Sequence, residues 1–278
     1  MKIVAIVQAR MGSTRLPNKV MMKINHVPMI GLLFNRLSKS KYINQIVLAT
    51  SDNGNNLPLV NHIESLGYKV FSGAENDVLG RYFHAAKLFK ADAIVRITGD
   101  CPLIDSTLVD EVINGFIDTN SDYASNREPP TYPDGLDVEL ISIEALEDAQ
   151  ENAQDDFQRE HVTPYIINSE IYKKFYLENS EDLSTERWTV DEPEDFTVVQ
   201  NIFDFFHPRI SFSWEEVMQL RKDNAEIFIE NQHLIRNEGA SMGNGQKLWT
   251  RAKRVIPGGN MLLSKRSEMF LPNQWPSY

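Results

Sequence analysis

The chain of 278 residues is short of several things at once. It has one cysteine, Cys101, so no internal disulfide can form, and that scarcity suits a reducing compartment, the cytoplasm. No run of about 18 apolar residues occurs, which removes a membrane-spanning helix. The start, Met1-Lys2-Ile3-Val4-Ala5-Ile6-Val7, passes straight to Gln8 and Arg10, without an apolar signal core or a small-residue cleavage site. Neither Gly-x-x-x-x-Gly-Lys-Ser/Thr nor Gly-x-Gly-x-x-Gly is present, which disfavours a dinucleotide oxidoreductase. Positive charge is also scarce. Against 39 Asp+Glu stand 28 Lys+Arg, a net −11 that repels a nucleic-acid polymer but leaves room for one nucleotide in a locally basic pocket.

What is present suffices for a sizeable core, at 42% apolar residues. The charge divides unevenly: residues 241–278 hold six basic side chains and one acidic one, leaving −16 for residues 1–240. The change falls at a polar, Gly-rich stretch around Gly239, Gly243 and Gly245, so 236–246 reads as a linker after a domain of residues 1–235. Within that domain, apolar runs at 2–7, 45–50, 68–71 and 93–97 predict strands. They alternate with amphipathic helices predicted over 28–37, 58–66, 77–89 and 108–116, the last capped by Ser106. Such alternation implies right-handed crossovers and an α/β fold, a mostly parallel sheet with helices on both faces. Beyond residue 120 the pattern predicts strands at 123–126, 136–141, 174–177 and 187–190, and helices at 143–152, 156–167, 193–206, 214–222 and 224–230.

The sharpest local feature follows the first strand: Gln8-Ala9-Arg10-Met11-Gly12-Ser13-Thr14-Arg15-Leu16-Pro17-Asn18-Lys19. In an open α/β sheet, ligands bind beyond the carboxyl ends of the strands, where this loop must lie. Gly12 allows close backbone approach, neighbouring N–H groups suit an anion nest, and Arg10, Arg15 and Lys19 match phosphate oxygens. A solvated basic loop is the plain alternative. Asp100 stands past the fourth strand and Asp191 past the 187–190 segment. Two carboxylates meeting from distant strand ends suit Mg²⁺; a turn residue at Asp100 and a helix N-cap at Asp191 are the alternatives. Cys101 beside Asp100 reads as a small buried side chain with a raised thiol pKa, not a nucleophile.

Residues Ala9-Arg10-Met11-Gly12-Ser13-Thr14-Arg15-Leu16-Pro17-Asn18-Lys19 resemble the motif of nucleotidyltransferases of the CMP-KDO synthetase type, and more closely the spore-coat polysaccharide (SpsF-like) branch of those cytidylyltransferases. The resemblance recurs in order at Leu48-Ala49-Thr50-Ser51, Asp77-Val78-Leu79-Gly80-Arg81-Tyr82, Arg96-Ile97-Thr98-Gly99-Asp100-Cys101-Pro102, Gly135-Leu136-Asp137-Val138-Glu139, Arg159-Glu160-His161 and Arg187-Trp188-Thr189-Val190-Asp191. It implies a Rossmann-like, nucleotide-diphospho-sugar transferase fold with a small acceptor and dimerisation subregion, and a homodimer. It implies CMP transfer from CTP, with pyrophosphate released, to an acidic sugar or small phosphorylated metabolite for surface polysaccharide. The nucleotide is then expected against Gln8, Ala9, Arg10, Gly12, Ser13, Lys19, Asp77, Arg81 and Thr98. Arg10, Arg15 and Lys19 would neutralise phosphates, with Mg²⁺ on Asp100 and Asp191. Asp137, Glu139, Arg159 and His161 are candidates for the acceptor; an internal salt-bridge network is the alternative for the set, and a structural hydrogen bond for His161. Another NTP with a sugar phosphate, or a non-catalytic recognition domain, remain as alternative functions.

Residues 247–278 carry a second resemblance, in Leu248-Trp249-Thr250-Arg251-Ala252 and Ile256-Pro257-Gly258-Gly259, to the N-terminal arm of class III (glutamate-1-semialdehyde type) aminotransferases. The PLP lysine is not among these residues, so PLP is expected only in a missing portion, and the tail reads as the truncated start of a fused domain. A basic C-terminal helix is the alternative.

Overall fold

In the computed structural model the described residues are 1–234 and 236. The chain divides into two units, Met1–Gln232 and His233–Tyr278, and the account below concerns the first. The expected aminotransferase-like arm at 247–278, and the expected linker apart from Arg236, lie outside the described residues.

Strand β1 (Ile3–Gln8) is buried on both faces, which is why it reads as an unbroken apolar run. Ile3, Ala5 and Val7 join one core, and Val4 and Ile6 the other. After the phosphate-loop candidate come a short hairpin, β2 (Lys23–Ile24) with β3 (Val27–Pro28), and helix α1 (Met29–Leu37). Then follow β4 (Gln45–Ser51), α2 (Leu57–Ser65), β5 (Lys69–Gly73), α3 (Val78–Leu88), β6 (Ala93–Thr98) and α4 (Ser106–Thr119). The second half supplies β7 (Tyr123–Ser125), β8 (Glu139–Ser142), α5 (Ile143–Asn152), α6 (Asp156–His161), α7 (Pro164–Asn168), β9 (Lys174–Tyr176), α8 (Pro193–Phe206) and α9 (Trp214–Asp223).

The seven-stranded sheet runs β5-β4-β1-β6-β8-β7-β9. β8 alone is antiparallel to its neighbours, so β5, β4, β1, β6, β7 and β9 send their carboxyl ends the same way. Helices α1, α2 and α4 pack on one face through residues such as Leu33, Ile63 and Val112. On the other, α3, α5 and α7 contribute Tyr82, Leu146 and Ile166. A third cluster joins α8 and α9, through Val199, Ile202 and Leu220, to Ile24 and Met29, placing the α8 N-terminus beyond the sheet edge.

Four expectations from the sequence need correction. The cap of α4 is Asp105, not Ser106, because its carboxylate accepts from both Thr107 N–H (2.8 Å) and Leu108 N–H (3.1 Å). The helix expected at 156–167 breaks between α6 and α7, where Val162 has φ 72° and Pro164 brings no N–H. Strand β8 begins at Glu139, leaving Asp137 in the preceding loop. Residues 187–190 form no ladder. Trp188 N–H bonds the Asp134 carbonyl (2.7 Å), and Val190 N–H the Asp100 carbonyl (2.8 Å), so the segment changes partner as it crosses the sheet edge. The apolar residues there mark burial, not strand pairing.

Candidate active site

The carboxyl ends of β1 and β6 lie side by side, with Gln8 opposite Thr98. Past them the chains stay in contact: Gly99 N–H donates to the Gln8 carbonyl at 2.7 Å. A Cβ at Gly99 would stand 2.6 Å from the Ala9 Cβ and 3.0 Å from that carbonyl, so glycine is what lets the basic loop run beside Asp100. Asn18 then turns the chain through the left-handed region (φ 60°), and Lys19 opens a short 3₁₀ turn with its side chain directed inward.

The Lys19 ammonium is the centre of the site. It donates to Asp100 Oδ2 at 2.9 Å, Asp191 Oδ1 at 2.8 Å and the Val190 carbonyl at 2.7 Å. An ammonium has three protons, and all three are used. Burial works against its charge, but Asp100 and Asp191 outweigh that cost and hold Lys19 above its ordinary pKa. Burial likewise opposes ionisation of Asp100, and the Lys19 ammonium overcomes it, drawing the carboxyl down to about 2. Cys101 goes the other way: burial and then the Asp100 charge push its thiol well up, which disfavours the thiolate a nucleophile needs.

Asp191 is held by a second buried arrangement. Asp195, fully buried, accepts the Arg187 guanidinium at 2.8 and 2.9 Å, Asn231 at 2.9 Å, and the backbone N–H groups of Asp191 and Glu192 at 3.0 Å each. Glu192 and Asp195 form the capping box of α8, so Asp191 is not the cap and its carboxylate points instead to Lys19 and Arg15. Gly135, at φ +106°, completes the wall. A Cβ there would come within 2.6 Å of Thr189 N, so the 135 turn packs directly on the segment that leads to Asp191.

The other expected residues fall into distinct places. Arg15 reaches Asp191 at 2.8 Å and Arg10 reaches Glu75 at 3.1 Å, both with nearly half their side chains exposed at the mouth. Ser13 accepts weakly from Leu16 N–H (3.5 Å), and Gly12 has open space where a Cβ would be. Thr98 sits 3.2 Å from the Cys101 sulfur. Asp77 caps α3 through Gly80 N–H (2.9 Å), and Arg81 is buried, bonding the Glu75 carbonyl at 2.7 Å; both shape the loop after β5 from within.

Arg159 does not join Asp137 and Glu139 as the sequence suggested. It forks onto Asp77 at 2.8 and 3.1 Å and also bonds carbonyls of Gln150 and Ala153. His161 ends α6 with its ring 4.4 Å from that of Phe157. Glu139 is buried against Arg96 and accepts from the Tyr123 hydroxyl at 2.7 Å. Burial opposes its ionisation, yet Arg96 and Arg127 keep the carboxyl below its ordinary value. Sequence reasoning singled out none of Arg187, Arg127 and Asp195. The signal for Asp195 was there, an acid three residues after Glu192 flanking Pro193; nothing marked Arg127. Among the described residues no three His, Cys, Asp or Glu side chains gather as a metal cage.

Sheet order and edge define a nucleotide-sugar transferase fold. The chain belongs to the cytidylyltransferase family, whose model, described as "Cytidylyltransferase", matches residues 4–234. It is 42% identical over 213 residues to an uncharacterized protein of Methanocaldococcus jannaschii, covering 74% of this chain and 86% of that one. To the spore coat polysaccharide biosynthesis protein SpsF of Bacillus subtilis it is 32% identical over 238 residues, 83% of this chain and 98% of the other. A 3-deoxy-manno-octulosonate cytidylyltransferase of Chloroherpeton thalassium matches at 32% over 120 residues, covering 42% of this chain and 47% of that protein. The solved cytidylyltransferase of Leptospira borgpetersenii superposes with a TM-score of 0.79 at 33% identity, covering 82% of this chain and 97% of the other. The aminotransferase resemblance of the tail has no counterpart in these matches.

Proposed function

We propose that this chain transfers CMP from CTP to an acidic sugar or a small phosphorylated metabolite, releasing pyrophosphate, in the synthesis of a surface polysaccharide. The observation that carries the reading is the buried Lys19 ammonium shared by Asp100 and Asp191, with Arg10 and Arg15 exposed at the mouth beside it. The names of the relatives support CTP as donor and a sugar acid or polysaccharide precursor as the class of acceptor.

In the proposed reaction an acceptor oxygen bonds to the α-phosphorus while the bond from phosphorus to the bridging oxygen breaks, and pyrophosphate leaves with that electron pair. Such chemistry needs positioning and charge more than covalent catalysis. Arg10 and Arg15 have the exposure to turn from Glu75 and Asp191 onto phosphate oxygens. Lys19, bonded to Asp100, Asp191 and the Val190 carbonyl, orients the two carboxylates as well as bringing positive charge to the phosphate site.

The donor set fits Mg²⁺: Asp100 and Asp191 offer hard oxygens and already share one cation, and one or two carboxylates with substrate phosphates are the usual set for this ion. Bound there, Mg²⁺ would supply positive charge to the α-phosphate. The test is pyrophosphate release from each of the four NTPs with Mg²⁺ and a panel of sugar acids and sugar phosphates. CTP-dependent release supports the reading; release from another NTP in preference to CTP overturns it.

A further inference from the structure

We infer that Asn231 is a positioning residue for the proposed transfer: it ties together both ends of the irregular segment that carries Asp191, and so sets where that carboxylate stands. The inference rests on the transfer reaction proposed above. It adds to that site a residue from the last turn of the first unit, far along the chain from the carboxylate it serves.

The segment needs such a tie. From Trp188 to Glu192 the chain lies in neither strand nor helix, and α8 starts only at Pro193. Backbone bonds at Trp188 and Val190 hold its first half. At Asp191 and Glu192 the backbone N–H groups go instead to a side chain, Asp195 Oδ2, at 3.0 Å each. Where Asp195 stands therefore decides where Asp191 stands. Asn231 reaches Asp195 from outside the segment. Its side-chain amide has two N–H protons, and both are used: one goes to Asp195 Oδ1 and the other to the Arg187 carbonyl, at 2.9 Å each. Arg187 Nε donates to the same Oδ1 at 2.8 Å, which closes a ring of three residues. Arg187 and Asp195 are the two ends of the segment, and Asp191 lies midway between them.

Asn231 is itself fixed. It follows the short turn Ala225–Phe228, and Phe228 is buried in the cluster that joins α8 and α9. Asn231 is 3% exposed, so solvent does not take its place on Asp195. A neutral double donor also suits the local charge. Arg187 already faces Asp195, Asp134 at 3.2 Å and Asp191 at 3.6 Å, and an acid at 231 would add a fourth carboxylate around one guanidinium. An asparagine donates twice and adds no charge. Groups that orient a cation-binding carboxylate in this way typically carry about 10- to 100-fold in metal affinity or activity. Asn231 acts through Asp195, so the lower figure is expected.

The test compares wild type, Asn231→Ala and Asn231→Ser with Phe228→Leu, which removes packing from the same turn but no hydrogen bond. Two readouts are taken. One is steady-state pyrophosphate release at varied Mg²⁺, with the acceptor that proves active in the panel above. The other is amide hydrogen exchange over residues 187–195 in the free protein. In Asn231→Ala, kcat should fall and the half-saturating Mg²⁺ concentration should rise, each by about 10-fold. KM for CTP and for the acceptor should stay near wild type at saturating Mg²⁺, and the Asp191 and Glu192 amides should exchange faster. Asn231→Ser keeps one donor and should fall between, and it decides the matter if Asn231→Ala does not fold. Phe228→Leu should lower the melting temperature yet leave kcat, the Mg²⁺ dependence and those two amides as in wild type. The same changes in Phe228→Leu would show a merely structural role and overturn the inference. Wild-type kcat and Mg²⁺ dependence in the folded Asn231 variants overturn it too, while the transfer reaction stands. No CTP turnover by wild type with any acceptor overturns both; faster exchange in Asn231→Ala would then leave Asn231 a structural role alone.

Discussion

At the scale of single residues, one ammonium decides whether two carboxylates can face each other. Lys19→Met leaves the partly buried Asp100 and Asp191 without their shared, buried cation. Removing one partner of a buried pair costs about 3–5 kcal/mol, and a denaturant titration should show a loss of that order. Asp100→Asn keeps an acceptor for Lys19 and should fold with a melting temperature near wild type, yet lose pyrophosphate release by on the order of 10²–10³-fold; wild-type turnover there would remove Asp100 from the chemistry. Glu139 gives a pH prediction. Burial opposes its charge, but Arg96 and Arg127 hold its folded pKa below the ordinary 4.5. Its ionic contribution is thus present above pH 4.5 and lost as pH falls through the lowered value. Glu139→Gln should therefore cost about 3 kcal/mol at pH 7, and the gap to wild type should narrow on acidification below pH 4.5. A gap independent of pH would show that the pair contributes only by packing.

At the scale of elements, the contact between the β1 and β6 ends is a tight constraint. In Gly99→Ala the new methyl meets the Ala9 Cβ at 2.6 Å and must push the basic loop away from Asp100. A loss of about 1–3 kcal/mol is expected, with KM for the nucleotide raised more than KM for the acceptor; wild-type kinetics in a stable variant would mean that the loop does not depend on that contact. Elements whose signal is local were legible in the sequence. β1 shows as a run buried on both faces, and α8 begins at Pro193 as its proline and first-turn acids require. Where the signal is tertiary, sequence reading failed. Residues 187–190 look like a strand because they are apolar, but their backbone partners are Asp134 and Asp100. Arg159 stands near His161 in sequence and reads as part of an acceptor motif, yet its carboxylate, Asp77, lies 82 residues earlier. The loop from Gln8 to Lys19 stood out by its basic composition, and the structure places it beside Asp100. That Lys19 turns inward depends on partners 81 and 172 residues away, which spacing along the chain does not reveal.

At the scale of the whole molecule, residues 1–240 carry −16, and Arg10 and Arg15 put positive charge at the mouth of the site, which favours a single small polyphosphate over a polymer. Among the described residues no helix is long and apolar enough to cross a membrane. The family match ends at residue 234 and the first compact unit at Gln232, so a chain shortened to residues 1–235 should keep full pyrophosphate release; a large loss would show that the tail takes part in the reaction. The most direct measurement follows the α-phosphorus itself. With CTP labelled at that position, Mg²⁺ and the panel of acidic acceptors, the label should move onto the acceptor as one pyrophosphate is released per transfer, and Asp100→Asn should leave it in CTP. Label recovered only as CTP, or released as free CMP or CDP with no labelled acceptor, would contradict nucleotidyl transfer as the activity of this site.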